Sequence, residues 1–90
     1  MSDPWLSIEV LDGESSASDW RRTYSDALLK AAIIDRAVRW SWRTHERGVV
    51  FEIAFRTEAI RDEFCAQPSV RTALAAVPDP RHGLTITPGG

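Results

Sequence analysis

The sequence predicts one α+β domain in the order β-α-β-β-α-β: a four-stranded antiparallel sheet with two helices on one face. Three observations predict it. Residues 38–56 hold two alternating runs on either side of Arg47-Gly48, the pattern of a β-hairpin. A helical apolar stripe precedes this hairpin and a second, broken by proline, follows it. A short alternating run near each end of the chain supplies the two remaining strands. Right-handed crossovers then set β1 parallel to β2, β3 between them and β4 at the far edge, a strand order of 4-1-3-2.

In chain order, Trp5 to Asp12 sets Leu6, Ile8 and Val10 against Trp5, Ser7, Glu9 and Leu11, a half-buried strand that Asp12-Gly13 ends. Ser18 is read as the cap of a helix from about Asp19 to Ile33, with Trp20, Tyr24, Ala27, Leu28 and Ala31 as its buried stripe. With Arg47-Gly48 as the hairpin loop, Arg43 faces Glu52 and Arg39 faces Arg56, a like-charge pair; a four-residue loop shifts that register and removes the clash. Thr57 caps the second helix, whose apolar side carries Ile60 and Phe64. Pro68 breaks that helix, which restarts through Val70 and Leu74 before Pro78-Asp79-Pro80. Gly83 to Thr87 forms the last strand. Residues 1–4 and 88–90 are expected as flexible ends of a single domain spanning 1–90.

Composition excludes several function classes. A hydrophobic share of 43% is too high for a disordered chain, and no apolar run approaches the roughly 20 residues of a membrane span. The start, Met-Ser-Asp-Pro, lacks the basic and apolar regions of a secretory signal, and a lone Cys65 builds no disulfide framework. Both point to the cytoplasm. The net charge is −2, and the first 20 residues hold five acids and no base, leaving 11 bases against 8 acids in the rest. A net acidic chain is a poor non-specific nucleic-acid binder, so no nucleic-acid partner is expected, and the split suits contact between subunits.

The element order resembles the ferredoxin-like, split βαβ superfold over nearly the whole chain, and it is loosely similar to dimeric α+β barrel proteins, which include antibiotic-biosynthesis monooxygenase-like families. Other families of the superfold fit poorly. The loop after β1, Asp12-Gly-Glu-Ser-Ser-Ala, lacks the Cys-x-x-Cys of metal chaperones and the arginine of acylphosphatase-like phosphate cradles. Phe51, Phe55, Trp40 and Trp42 fall on the helix-covered phase, not on the open face where RNA-recognition domains stack bases. The Asp12-Gly13 exit matches the amino-acid-binding regulatory domains in that dipeptide alone.

Two groups of side chains stand out. Arg39, Arg43, His45, Glu52 and Arg56 share the open phase of the hairpin, a basic face for an anionic ligand or a protein partner, or a solvated surface carrying one Arg43–Glu52 pair. Tyr24, Trp40 and Trp42 lie between helices and sheet, either as core or as the lining of a small-molecule pocket. Trp5, on the open phase of β1, suits an interface. No metal-ligand spacing links His45, Glu46 and His82, and Cys65 has no neighbouring base, so neither a metal nor a cofactor is expected.

On these grounds the leading expectation is a small non-catalytic binding or regulatory protein, homodimeric, acting through protein contacts or an anionic ligand at the open sheet face. The alternative is a cofactor-free small-molecule enzyme of the dimeric α+β barrel type. A lesser alternative is a carrier that works through Gly89-Gly90.

Overall fold

The computed structural model describes residues 3–89. The elements are β1 (Trp5–Leu11), α1 (Ala17–Ile34), β2 (Arg39–His45), β3 (Gly48–Ala54), α2 (Glu58–Ala66), α3 (Pro68–Ala75) and β4 (Leu84–Gly89). The strands form one sheet in the order β2-β3-β1-β4, and every neighbouring pair is antiparallel. This is the predicted order read from the other edge.

The alternation in the sequence sorts the sheet into two faces. Leu6, Ile8 and Val10 of β1, with Val49, Phe51 and Ile53 of β3, point to the helices and are buried. Phe55, Phe64, Leu28, Val70 and Ala73 close over them into one core. Fully burying such side chains stabilises the fold by about 1.5–3 kcal/mol each. The open face carries Trp5, Ser7, Glu9, Arg39, Ser41, Arg43, Val50, Glu52 and Ala54. Val50 and Ala54 are nevertheless 7% and 3% exposed. They are small residues on a central strand, in register with the longer Arg43 and Glu9, and Arg39 and Trp5, on either side.

The hairpin turns one residue earlier than the sequence suggests. His45 pairs with Gly48, so the loop is Glu46-Arg47. The reason lies on β1: a Cβ on Gly48 would lie 2.0 Å from the Val10 carbonyl oxygen. Glycine is needed here for close strand approach, not for the turn. The turn is held instead by the Arg47 N–H, which donates to His45 Nδ1 at 3.2 Å, and by the Arg47 carbonyl, which accepts from the Asp12 N–H at 2.7 Å. Moving the loop back by one residue shifts the register by two, so each residue keeps its face. Arg39 faces Ala54, not Arg56, and the like-charge pair disappears.

Helix ends follow local chemistry. Ser16, not Ser18, caps α1 by accepting the Asp19 N–H, while Asp12 Oδ1 accepts the Ala17 N–H at 2.7 Å. At the other end, the Arg36 and Ala37 N–H groups donate to Ile33 and Ala32 carbonyls, a Schellman motif that puts Arg36 at φ 56°. Thr57 caps α2 by accepting the Ile60 N–H at 3.1 Å. Pro68 opens α3 at the predicted break. Gln67, in the break, donates from Nε2 to the Ala31 carbonyl at 3.0 Å and to the Asp35 carboxylate, which ties the broken helix to α1.

Pro4, Pro88 and Gly89, expected in flexible ends, are tied into the sheet. The Pro4 carbonyl accepts the Phe55 N–H at 2.8 Å. Pro88 and Gly89 continue β4 because β1 extends far enough to pair with them. Met1, Ser2 and Gly90 lie outside the described residues.

Candidate functional site

The helices do not cover the whole sheet. α1 packs on β3 and α3, and the short α2 and α3 meet at an angle set by Pro68. The helix-side face of β4 is left partly bare, so Ile86, which points inward, is still 42% exposed. Between β4 and the broken helix lies a groove of about 350 Å³. Its floor is Leu6, Ile8 and Ile86, and its wall is Leu74, Ala75 and Cys65, with Arg71 among its lining residues.

The chemistry of this groove is simple. Arg71 is exposed and makes no ion pair among the described residues. No carboxylate lines the groove. Burial pushes the Cys65 thiol above the ordinary thiol range, the nearby Asp62 charge adds to this, and Arg61 opposes it. The thiol is therefore neutral near pH 7 and a weak nucleophile. Such a groove can desolvate an apolar molecule and hold a negative charge at one end. Among the described residues, no group of three or more His, Cys, Asp or Glu side chains is placed to hold a metal ion.

The residues singled out in the sequence lie elsewhere. Arg43 Nη2 meets Glu52 Oε1 at 2.8 Å on the open face, a diagonal pair because Glu52 is in register with Ser41. His45 Nε2 meets Glu9 Oε2 at 3.3 Å. His45 Nδ1 already accepts the Arg47 N–H, so the proton of a neutral ring sits on Nε2, facing Glu9. Arg39 stands beside Ala54 with no ion-pair partner among the described residues. Arg56 is exposed in the bend between β3 and α2, off the sheet. The face thus gathers Arg39, Arg43, His45 and Glu52 but not Arg56.

Tyr24 and Trp42 are in an aromatic chain. The Trp42 ring centroid is 4.5 Å from Phe51 and 6.1 Å from Trp20, which is 6.2 Å from Tyr24, while the Arg21 guanidinium sits 4.8 Å over the Trp42 ring. Trp40 is 41% exposed at the β2 edge. It borders an open hollow of about 280 Å³ with Trp5 and Arg39. Trp5 itself lies across the end of β4: a Cβ on Gly89 would fall 2.1 Å from its ring. On α2, Arg61 donates to the Gly89 carbonyl at 3.1 Å. This clamps the first residue of the Gly-Gly pair into the sheet, unlike a free carrier tail.

The sequence reading missed Arg71 and the β4 groove. The signal was Arg71, Leu74 and Ala75 at i, i+3 and i+4, which share one face of α3 and put a cation on the apolar stripe.

Solved structures match this architecture along almost its whole length. A dimeric ferredoxin-like protein of unknown function from Jannaschia sp. CCS1 superposes with a TM-score of 0.81 at 12% identity, covering 99% of each chain. The chain has the ferredoxin-like fold. An antibiotic biosynthesis monooxygenase gives a TM-score of 0.73 at 12% identity, over 99% of this chain and 97% of that one. SnoaB, a cofactor-independent oxygenase from Streptomyces nogalater, gives 0.67 at 13% identity, over 98% and 90%. No protein-family model matches the chain, and no curated protein matches its sequence.

These comparisons correct the leading expectation from the sequence. Neighbours of this fold that carry a named activity include oxygenases, which overturns the non-catalytic binding protein in favour of the cofactor-free enzyme alternative. The physical reason for the error is that the sequence placed the only visible cluster of charges on the open face and left the β4 groove unseen. Among the described residues, no helix is long and apolar enough to cross a membrane.

Proposed function

We propose that this chain is a cofactor-free small-molecule oxygenase that works as a homodimer, with the β4 groove as its active site. The observation that carries the reading is the groove itself: an apolar trough between helices and sheet with Arg71 among its lining residues, in a fold whose neighbours include a cofactor-independent oxygenase. Its volume is at the lower end of small-molecule sites, about 300–1,000 Å³.

An oxygenase without a reductant takes its electrons from the substrate. A substrate CH₂ that becomes C=O gives up two hydrogens; one atom of O₂ enters the carbonyl and the other leaves as water. The reaction is fastest from a substrate anion, because an anion surrenders electrons to O₂ more readily than its conjugate acid. The chain's part is then to exclude water with Leu6, Ile8, Leu74 and Ile86, and to favour the anion with the Arg71 guanidinium. Cys65, neutral and half-buried, supplies shape and no nucleophile.

The homodimer is proposed through the open sheet face. The Jannaschia neighbour is described as dimeric. Here the face is centred on Val50 and Ala54; its Arg43–Glu52 charges already neutralise each other within the chain, and Glu9 already accepts a contact from His45. That lowers the cost of covering them with a second copy.

The test is an oxygen electrode with a panel of hydroxynaphthalenes, which are apolar and easily oxidised and whose keto tautomers carry the reacting ring CH₂. Oxygen uptake above the spontaneous rate, proportional to enzyme, supports the reading. Uptake equal to the spontaneous rate across the panel counts against it.

A further inference from the structure

The β4 groove has an asymmetry that sets its ligand class. Leu6, Ile8 and Ile86 offer it no polar side chain, and Leu74 continues the apolar wall. Its lining holds one charged group, Arg71. An unpaired guanidinium beside apolar surface favours a molecule with an apolar body and an anionic group at its edge. Asp62, whose charge bears on Cys65, has its side chain 75% exposed and lies 3.7 Å from Arg61, and no carboxylate pairs with Arg71 among the described residues.

We infer that the groove selects amphipathic monoanions, an apolar ring system bearing one anionic group, with Arg71 as the specificity-determining residue. This deepens the oxygenase reading and rests on it for the word substrate, but the selection itself is a binding property. A neutral molecule of the same shape fills the same trough and leaves Arg71 in water. Arg71 is exposed on α3, so replacing it leaves the core untouched.

The experiment compares two fluorescent probes with one ring system: 8-anilino-1-naphthalenesulfonate and its neutral parent, N-phenyl-1-naphthylamine. Binding is read by fluorescence titration, and the site by amide shift changes at Leu6, Ile8 and Leu74. The expected result is that the anion binds about tenfold more tightly than the neutral probe, the worth of one partly exposed charge-assisted contact. Arg71→Gln removes that preference and leaves the neutral probe's affinity unchanged, while Arg71→Lys keeps most of it. Ala75→Phe, which fills the groove from an exposed position, weakens both probes. Equal affinities in the unaltered protein, a preference that survives Arg71→Gln, or shift changes confined to the open sheet face would each overturn the inference. Loss of oxygen uptake with the probe preference intact would sink the oxygenase reading alone; the converse would sink only this inference.

Discussion

The indole N–H of Trp20 donates to the backbone carbonyl of Ala73 at 2.8 Å, buried within the contact between α1 and α3. The two residues are 53 positions apart in the chain. This bond fixes α3 against α1, and so holds the wall of the groove at its distance from β4. Trp20 also meets Trp42 edge to face, which joins the helix layer to the hairpin.

Trp20→Phe keeps most of the ring but leaves the Ala73 carbonyl buried without its donor. A lost buried hydrogen bond of this kind costs about 1–3 kcal/mol. Urea unfolding should show the midpoint falling with the slope unchanged. An unaltered midpoint would mean that Ala73 finds another donor and that α3 is held by packing alone.

Arg36 ends α1 with φ at 56°, a left-handed conformation that costs a residue with a Cβ about 1–2 kcal/mol. Glycine adopts it freely but loses more entropy on folding. Arg36→Gly should therefore stabilise the protein by about 0.5 kcal/mol, seen as a small rise in Tm, whereas Arg36→Val should lower it.

The open face separates pair energies from assembly. Arg43 and Glu52 are 66% and 40% exposed along their side chains, so Arg43→Ala should cost under about 1 kcal/mol in the unfolding of each subunit. Val50→Glu puts an added carboxylate, between Arg43 and Glu9, at the centre of that face. Sedimentation should show dimers for the unaltered protein and monomers for Val50→Glu, with similar circular dichroism. A Val50→Glu protein that still sediments as a dimer would place the subunit contact elsewhere.

Cys65 gives a pH dependence with a definite sign. Burial raises the thiol pKa in the folded state, so folding favours the protonated form. Its contribution to stability is complete below the unfolded thiol value of about 8.5 and is lost as the pH rises through the folded value. Cys65→Ala should flatten that alkaline loss. Iodoacetamide should alkylate the native protein more slowly than the urea-unfolded chain at pH 8; equal rates would contradict the burial argument.

The sheet order was legible because period-two and period-3.6 patterns alternate along the chain in an order that few topologies accommodate. The faces of the hairpin were legible for the same reason, and they survived an error in its loop because the register moved by two. What Gly48 does was not legible: its partner is the Val10 carbonyl, 38 positions away, and sequence alone read it as a turn residue. The groove was hidden for a related reason. Pro68 announced a break in the helix, but where α3 goes afterwards depends on Trp20 and Gln67 binding it to α1. Ile86 and Leu74 were both legible as inward-facing, yet they line a gap and not a packed core.

The decisive question is whether catalysis occurs in the β4 groove. Its most direct test measures kcat/KM for oxygen uptake with the best hydroxynaphthalene in the unaltered protein, in Ala75→Phe and in Trp40→Ala. Ala75→Phe occupies the groove; Trp40→Ala alters the β2 edge, at the far edge of the sheet from β4. Catalysis in the groove means a loss of about tenfold or more for Ala75→Phe, as expected when a filled pocket excludes its substrate, and little change for Trp40→Ala. Full activity in Ala75→Phe together with a large loss in Trp40→Ala would contradict it and move the site to the β2 edge.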